Sequence, residues 1–363
     1  MIELPRGVRS RQVDDVNGLS MHLLEAGDPA DPCIMLLHGF PDLAYGWRHV
    51  MPELARLDYY VIAPDQRGYG QTTGWHGAYD DDLRPFGMQS LATDLVALIL
   101  KLGIEEIHCL AGHDFGSPVA AYLSLFRPDL INRLVLMSAP FPGAPKPEVS
   151  PLDLDVGLGE LQPPRRHYQA YNSGPTANQD MLNCPQGLKR FLRGYFHMKS
   201  ADWLHNEPKP LAGWRAEYLS EMPHYYVMPA EQTMPEVVAP HTPDKAPDWL
   251  NDDELEVFVE AFQTTEFQGA LNWYRASSDP VLRAELGVLC GMTITTPTWY
   301  IAGAADWGTY QTPGALERMQ RRACQDFRRV ISVANAGHWV QQEQPALTAK
   351  HLLAISEAEL MSF

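Results

Sequence analysis

Apolar positions recur along this chain with two different periods. Short runs rich in β-forming residues predict strands at 33–37, 59–63, 107–111, 134–138, 298–302 and 329–333. Residues 11–26, RQVDDVNGLSMHLLEA, predict two more strands that turn at Asn17-Gly18, a dipeptide that accepts the positive φ of a tight hairpin loop. Helix-length segments lie between several of the strands, and 88–102 and 119–125 carry apolar residues at helical spacing. Strand alternating with helix predicts a mainly parallel sheet covered on both faces. The alternation stops after Pro140. Residues 143–275 are rich in Pro, Trp and Tyr, contain helical pieces such as 252–262, and show no clear strand before one returns at Thr298. The pattern therefore predicts an α/β core, residues 1–142 and 276–363, interrupted by an inserted helical cap, residues 143–275.

Composition narrows the function classes. The 363 residues, 45% apolar and 20% charged, have an ordinary globular balance with room for one large core and an insertion. Thirty prolines, clustered at 141–151, 163–175, 208–247 and 296–313, predict firm element boundaries. A net charge of −17 repels phosphate backbones and argues against nucleic acid as a partner. The five cysteines are odd in number and scattered without a Cys-x-x-Cys pair, which supports neither a disulfide framework nor a structural zinc site and fits a reducing cytoplasm. The N-terminal MIELPRGVRSRQVDD lacks an apolar signal region, and the longest apolar runs, such as Leu95–Leu100, are too short to span a bilayer.

The chemistry begins at residues 110–118, LAGHDFGSP. Gly112 and Gly116 bracket a central residue with the spacing of a nucleophile elbow, the sharp turn between a strand and a helix. Small residues suit it because the backbones approach closely. The central residue is Asp114, and the helix N-terminus beyond it favours an anion. Its bland reading is a helix cap. The Asp-Phe-Gly at 114–116 also spells a kinase signature, but the remaining kinase motifs are missing. A second segment, Leu37-His38-Gly39-Phe40-Pro41-Asp42, follows an apolar strand. In α/β-hydrolases this loop supplies one oxyanion-hole N–H and the residue after the nucleophile supplies the other, here Phe40 and Phe115. Phe40-Pro41 is a candidate cis peptide bond.

The remaining residues of the set lie far along the chain. His338, in Asn335-Ala336-Gly337-His338-Trp339, follows the last predicted strand, whereas His38 and His113 are read as structural. Asp306, after the strand 298–302 and Gly303-Ala304-Ala305, is the acid expected to orient His338. Asp279 and Asp326 are rivals that do not end an apolar strand. Nucleophile, acid, histidine is the α/β-hydrolase chain order.

Together these segments resemble an epoxide hydrolase of the α/β-hydrolase superfamily. The resemblance rests on HGFPD at 38–42, DQRGYG at 65–70, GHDFG at 112–116, GAADWGTYQTPG at 303–314 and GHWVQQEQP at 337–345, with HYQAY at 167–171 and ALNWYR at 270–275 in the cap. It implies an α/β-hydrolase core with a helical cap and two cap tyrosines directed at the epoxide oxygen, Tyr274 and Tyr168, with Tyr171 as the alternative to Tyr168. It implies a pocket lined by Phe40, Pro41, Phe115, Trp307 and Trp339, no cofactor and no metal. The partners expected are a small epoxide and water, for a monomer or homodimer with a detoxification role. Phe115 departs from relatives that carry Trp there.

A carboxylate on the elbow changes the reaction expected. Serine must lose a proton to attack, whereas an aspartate with an ordinary pKa of about 3.9 is already ionised at neutral pH. It suits attack on a saturated carbon bearing a leaving group, since attack on an acyl carbon would give a labile anhydride. The expected product is an alkyl ester on Asp114, which frees His338 to activate water. The alternative is a haloalkane or haloacid dehalogenase with the same Asp-His-Asp core. Phe115 offers no side-chain N–H for a halide, and residues 115–122 contain no arginine for a substrate carboxylate. A non-catalytic receptor would be expected to have lost part of the set.

Overall fold

A computed structural model describes residues 4–146 and 156–359; residues 147–155 of the expected cap lie outside them. Eight strands form the main sheet: β1 (Val8–Val16), β2 (Leu19–Ala26), β3 (Cys33–Leu37), β4 (Tyr60–Pro64), β5 (Ile107–His113), β6 (Leu134–Met137), β9 (Thr298–Gly303) and β10 (Phe327–Val333). Their order is β1-β2-β4-β3-β5-β6-β9-β10, with β1 and β2 antiparallel and all pairs from β4 to β10 parallel. The hairpin turns at Asn17 (φ 51°) and Gly18 (φ 79°), as that dipeptide predicts.

Strands β3 to β6 and β9 are buried along their whole length apart from the half-buried His108 in β5, because both faces of a parallel sheet are covered. Along β3 the side chains alternate between two cores. Met35 and Leu37 join the cluster beneath the helices Met88–Lys101 and Gly116–Phe126. Ile34 and Leu36 join the cluster beneath Met51–Ala55 and Pro345–Ser356. The outer strands β1 and β10 are largely exposed on one side, which blurs their apolar signal.

The chain between β6 and β9 is mainly helical, including Tyr168–Asn172, Leu188–Lys199, Asp252–Thr265 and Gln268–Ser278. The sequence shows no strand here, yet β7 (Arg165–His167) pairs antiparallel with β8 (Val227–Pro229). Each has three residues, too few for an alternating pattern to register. This insertion packs on the carboxyl ends of the core strands. Trp273 donates its indole N–H to the Arg67 carbonyl at 2.9 Å, and Tyr274 meets Phe40 edge-on at 5.5 Å. The chain leaves β3 toward β4 and returns on its other side as β5, so the topology reverses at β3, and a crevice at such a point is where open α/β sheets bind ligands.

Candidate active site

Asp114, Phe40, Asp306 and His338 all follow the carboxyl ends of parallel strands, β5, β3, β9 and β10 respectively. Asp114 stands at φ 52° between β5 and the helix Gly116–Phe126. Glycine is required around it. A Cβ on Gly112 would lie 2.1 Å from the Gly116 carbonyl oxygen, and one on Gly116 would lie 2.7 Å from that of His38. A Cβ on Gly39 would lie 2.3 Å from Asp114 Oδ1 and 2.6 Å from the Phe115 backbone nitrogen, so both expected oxyanion donors border one tight space. Phe40 N–H donates to Asp114 Oδ1 at 2.9 Å. The Phe40-Pro41 bond is cis, and Pro41 is buried.

His338 joins the two carboxylates. Its Nε2 lies 3.2 Å from Asp114 Oδ2 and its Nδ1 lies 3.0 Å from Asp306 Oδ1. The second contact is a hydrogen bond, while the first has the distance of a charge pair without hydrogen-bond alignment. Asp306 also accepts the Gly308 N–H at 2.7 Å, which fixes its carboxylate. All three side chains are buried. Burial alone would raise the Asp114 pKa, but the His338 imidazole 3.2 Å away, with the Lys199 charge behind it, holds it well below the usual carboxylate range. Burial likewise opposes charge on His338, as does Lys199, yet Asp306 and Asp114 outweigh both and raise its pKa. Asp306 is lowered, with burial again opposed and overcome by His338.

The rival acids are occupied elsewhere. Asp279 caps the helix Pro280–Leu286, and Asp326 pairs with Arg328 at 2.6 Å. His38 accepts the Gln66 N–H at Nε2, while His113 Nε2 donates to the His338 carbonyl at 2.7 Å in the neutral form, as burial pushes its pKa down to about 3.

Tyr168 and Tyr274 face each other edge-on at 5.9 Å, and Tyr274 also meets Phe115 at 4.7 Å. Tyr168 donates to Gln311 Oε1 at 2.9 Å and accepts from Gln169 Nε2 at 3.2 Å. Burial is the first cause raising both phenols, and the Asp114 charge adds to it. Tyr171 points elsewhere: its hydroxyl donates to Asp180 at 3.2 Å and its ring packs under Arg166. A cavity of about 540 Å³ opens between Leu211 and Trp214 on one wall and Thr309, Tyr310 and Thr312 on the other, flanking Gln311. Trp307 lines a separate recess with Met198 and Trp203, while Trp339 is fully buried and donates its indole N–H to the Phe196 carbonyl.

Two charged neighbours carry no signal in the sequence reading. The Lys199 ammonium sits 5.3–5.4 Å from the ring centroids of Tyr195, Tyr226 and Trp339, a desolvated cation–π cage. Burial lowers its pKa against the pull of Asp114 and Asp306. Glu343 accepts three backbone N–H groups, and burial still pushes its pKa up to about 7. Glu343 lies within GHWVQQEQP, so its segment was visible and its role was not. Among the described residues, no group of three or more His, Cys, Asp or Glu side chains is placed to hold a metal ion.

Residues 32–182 match the family model of the alpha/beta hydrolase fold. Epoxide hydrolase A of Mycobacterium tuberculosis is 30% identical over 350 residues, 96% of this chain and 97% of that protein. Epoxide hydrolase 3 of Siraitia grosvenorii is 31% identical over 351 residues, 93% and 95% of the two chains. The structure of an epoxide hydrolase from an endophytic Streptomyces superposes with a TM-score of 0.79 at 29% identity, covering 96% of this chain and 95% of that one.

Proposed function

This chain belongs to the epoxide hydrolases of the α/β-hydrolase superfamily, and on that premise we propose that it converts an epoxide to a vicinal diol in two steps through an ester on Asp114. The observation that carries the reading is a carboxylate, not a hydroxyl, on the elbow, with one oxygen on the Phe40 N–H and the other 3.2 Å from His338 Nε2. Asp114 Oδ2 attacks an epoxide carbon, and the C–O bond of the ring breaks. Tyr168 and Tyr274 hold the departing oxygen, and one of them gives it a proton. Their raised pKa values keep them protonated for that task.

Esterification removes the Asp114 charge, one of the influences holding a proton on His338. The intermediate therefore favours the neutral imidazole that can take a proton from water, with Asp306 fixing the ring. Hydroxide adds to the ester carbon, and Oδ1, already on the Phe40 N–H, becomes the oxyanion, with the Phe115 N–H as its expected second donor. Collapse expels Oδ2 with the diol, which takes the His338 proton. The second proton of water restores the phenol. The paired phenols suit an alkoxide, and Phe115 provides no side-chain donor to a halide. Phe40, Pro41, Phe115 and Trp339 are assigned to the walls that receive the substrate, whereas Trp307, also expected there, lines the separate recess with Met198 and Trp203. The domain division assigned is core 1–142 and 276–363 with cap 143–275, the last boundary falling within the continuous helix Gln268–Ser278.

The test is His338→Gln mixed with an aryl epoxide such as styrene oxide and weighed intact. A stable adduct of the epoxide's mass is expected on the peptide containing Asp114. Wild-type turnover of that epoxide without any adduct in the variant would overturn the two-step route, and release of halide from a haloalkane in preference to epoxide opening would favour a dehalogenase.

A further inference from the structure

The reaction needs His338 only in its second half, and the structure devotes an unusual set of anchors to the backbone that carries it. His338 N–H donates to the Lys199 carbonyl at 2.8 Å, and its own carbonyl accepts from His113 Nε2 at 2.7 Å and from Ser138 Oγ at 3.3 Å. On either side, Glu343 takes over. Its Oε2 accepts the Gly337 N–H at 2.9 Å, and its Oε1 accepts the Trp339 N–H at 2.9 Å. Oε2 also accepts the Ala201 N–H at 2.8 Å, from the insertion rather than the core. The two segments touch closely: a Cβ on Gly337 would lie 2.5 Å from the Lys199 carbonyl oxygen and 2.6 Å from the Ala201 nitrogen.

We propose that Glu343 is the positioning residue for ester hydrolysis, its carboxylate clamping the backbone on both sides of His338 and fastening that loop to cap residues 199–201. The inference rests on the two-step reading above and deepens it. A carboxylate suits this place because it has two oxygens that only accept, whereas the three groups to be held are all donors. An amide supplies one acceptor oxygen and turns the other position into a donor that faces a donor. Glu343 touches neither Asp114 nor the phenols, so its loss leaves the attacking oxygen and its acid partners in place. It releases the imidazole that must meet water at one point above the ester carbon, where a displacement of about 1 Å can cost about 10²-fold.

The two steps separate the effect. In Glu343→Gln, rapid-quench mass measurement with styrene oxide is expected to show ester forming at close to the wild-type rate and decaying at least about tenfold more slowly. In steady state kcat falls while kcat/KM, which reports events up to the first irreversible step, is held. Glu343→Asp keeps the charge but is one methylene shorter, and its ester decay is expected to lie between the two. Ester decay at the native rate in both variants would overturn the proposal. So would a parallel loss of formation and decay in both, the signature of a merely loosened fold. These results differ from a failure of the underlying route: if His338→Gln and wild type form no ester at all, the two-step reading fails and this inference with it, whereas an ester that persists in His338→Gln but not in Glu343→Gln removes Glu343 alone.

Discussion

Asp114 occupies a backbone region that costs a residue with a Cβ on the order of 1–3 kcal/mol, and its neighbours make that conformation obligatory. Gly39, Gly112 and Gly116 leave no space for alternatives, so the strain is held where the carboxylate must project. The two phenols are equally determinate. Replacing Tyr168 or Tyr274 by Phe is expected to slow ester formation by roughly tenfold or more, and replacing both by about 10²–10⁴-fold, read by single-turnover quench. Tyr171→Phe serves as the matched control, because its hydroxyl is committed to Asp180. It is expected to leave ester formation unchanged and to cost about 1 kcal/mol in a denaturant melt.

At the scale of elements, the question is what fastens the inserted helices to the sheet. Arg48, just beyond the turn Ala44–Trp47, is fully buried. Its Nε donates to Glu254 at 2.9 Å, Nη1 to Gln342 at 2.9 Å and Nη2 to the Trp249 carbonyl at 3.0 Å. Glu254 is itself the third residue of the helix Asp252–Thr265 and closes its capping box with Asn251. One carboxylate therefore starts a cap helix and ties it to the core. Arg48→Met leaves that carboxylate without its buried partner, and a loss of about 3–5 kcal/mol is expected from urea unfolding. A loss under 1 kcal/mol would show that the remaining contacts, Trp273 to Arg67 among them, hold the cap unaided.

For the whole molecule, buried histidines set the response to acid. Burial pushes His113 down to about 3 and His167 down to about 4, and lowers His38 as well. A histidine whose folded pKa is depressed lets the unfolded chain bind the proton first, so stability is present above about 6.5 and is lost as pH falls toward the folded value. Asp42 and Glu343, both pushed up to about 7, act in the opposite sense, since their contribution is lost as pH rises through 7. The depressed histidines, His108, His197, His224 and His351 among them, outnumber the raised carboxyls, which include Asp94, and predict loss of stability beginning near pH 6. His167→Asn is expected to reduce the slope of unfolding free energy between pH 6.5 and 4 by about one proton, or about 1.4 kcal/mol per pH unit, measured by urea titration across that range.

The apolar periods and turn dipeptides determined the sheet, the hairpin and the helices flanking β5, because those signals are local and a buried parallel strand is apolar along its length. The motifs likewise determined the residue types at the elbow, the His338 loop and the Asp306 turn, since each depends on neighbours within a few positions. Tertiary structure alone decided which partners meet. Tyr168 and Tyr171 stand on the same short helix, and only its placement turned one toward Tyr274 and the other toward Asp180. The β7–β8 pair joins residues some sixty positions apart with three residues each, below any readable period. Nothing in the sequence around Lys199 or Glu343 singles either one out. The burial of Lys199 and the partial burial of Glu343 beside His338 follow from the insertion folding back on the core, a contact between distant parts of the chain that no local pattern encodes.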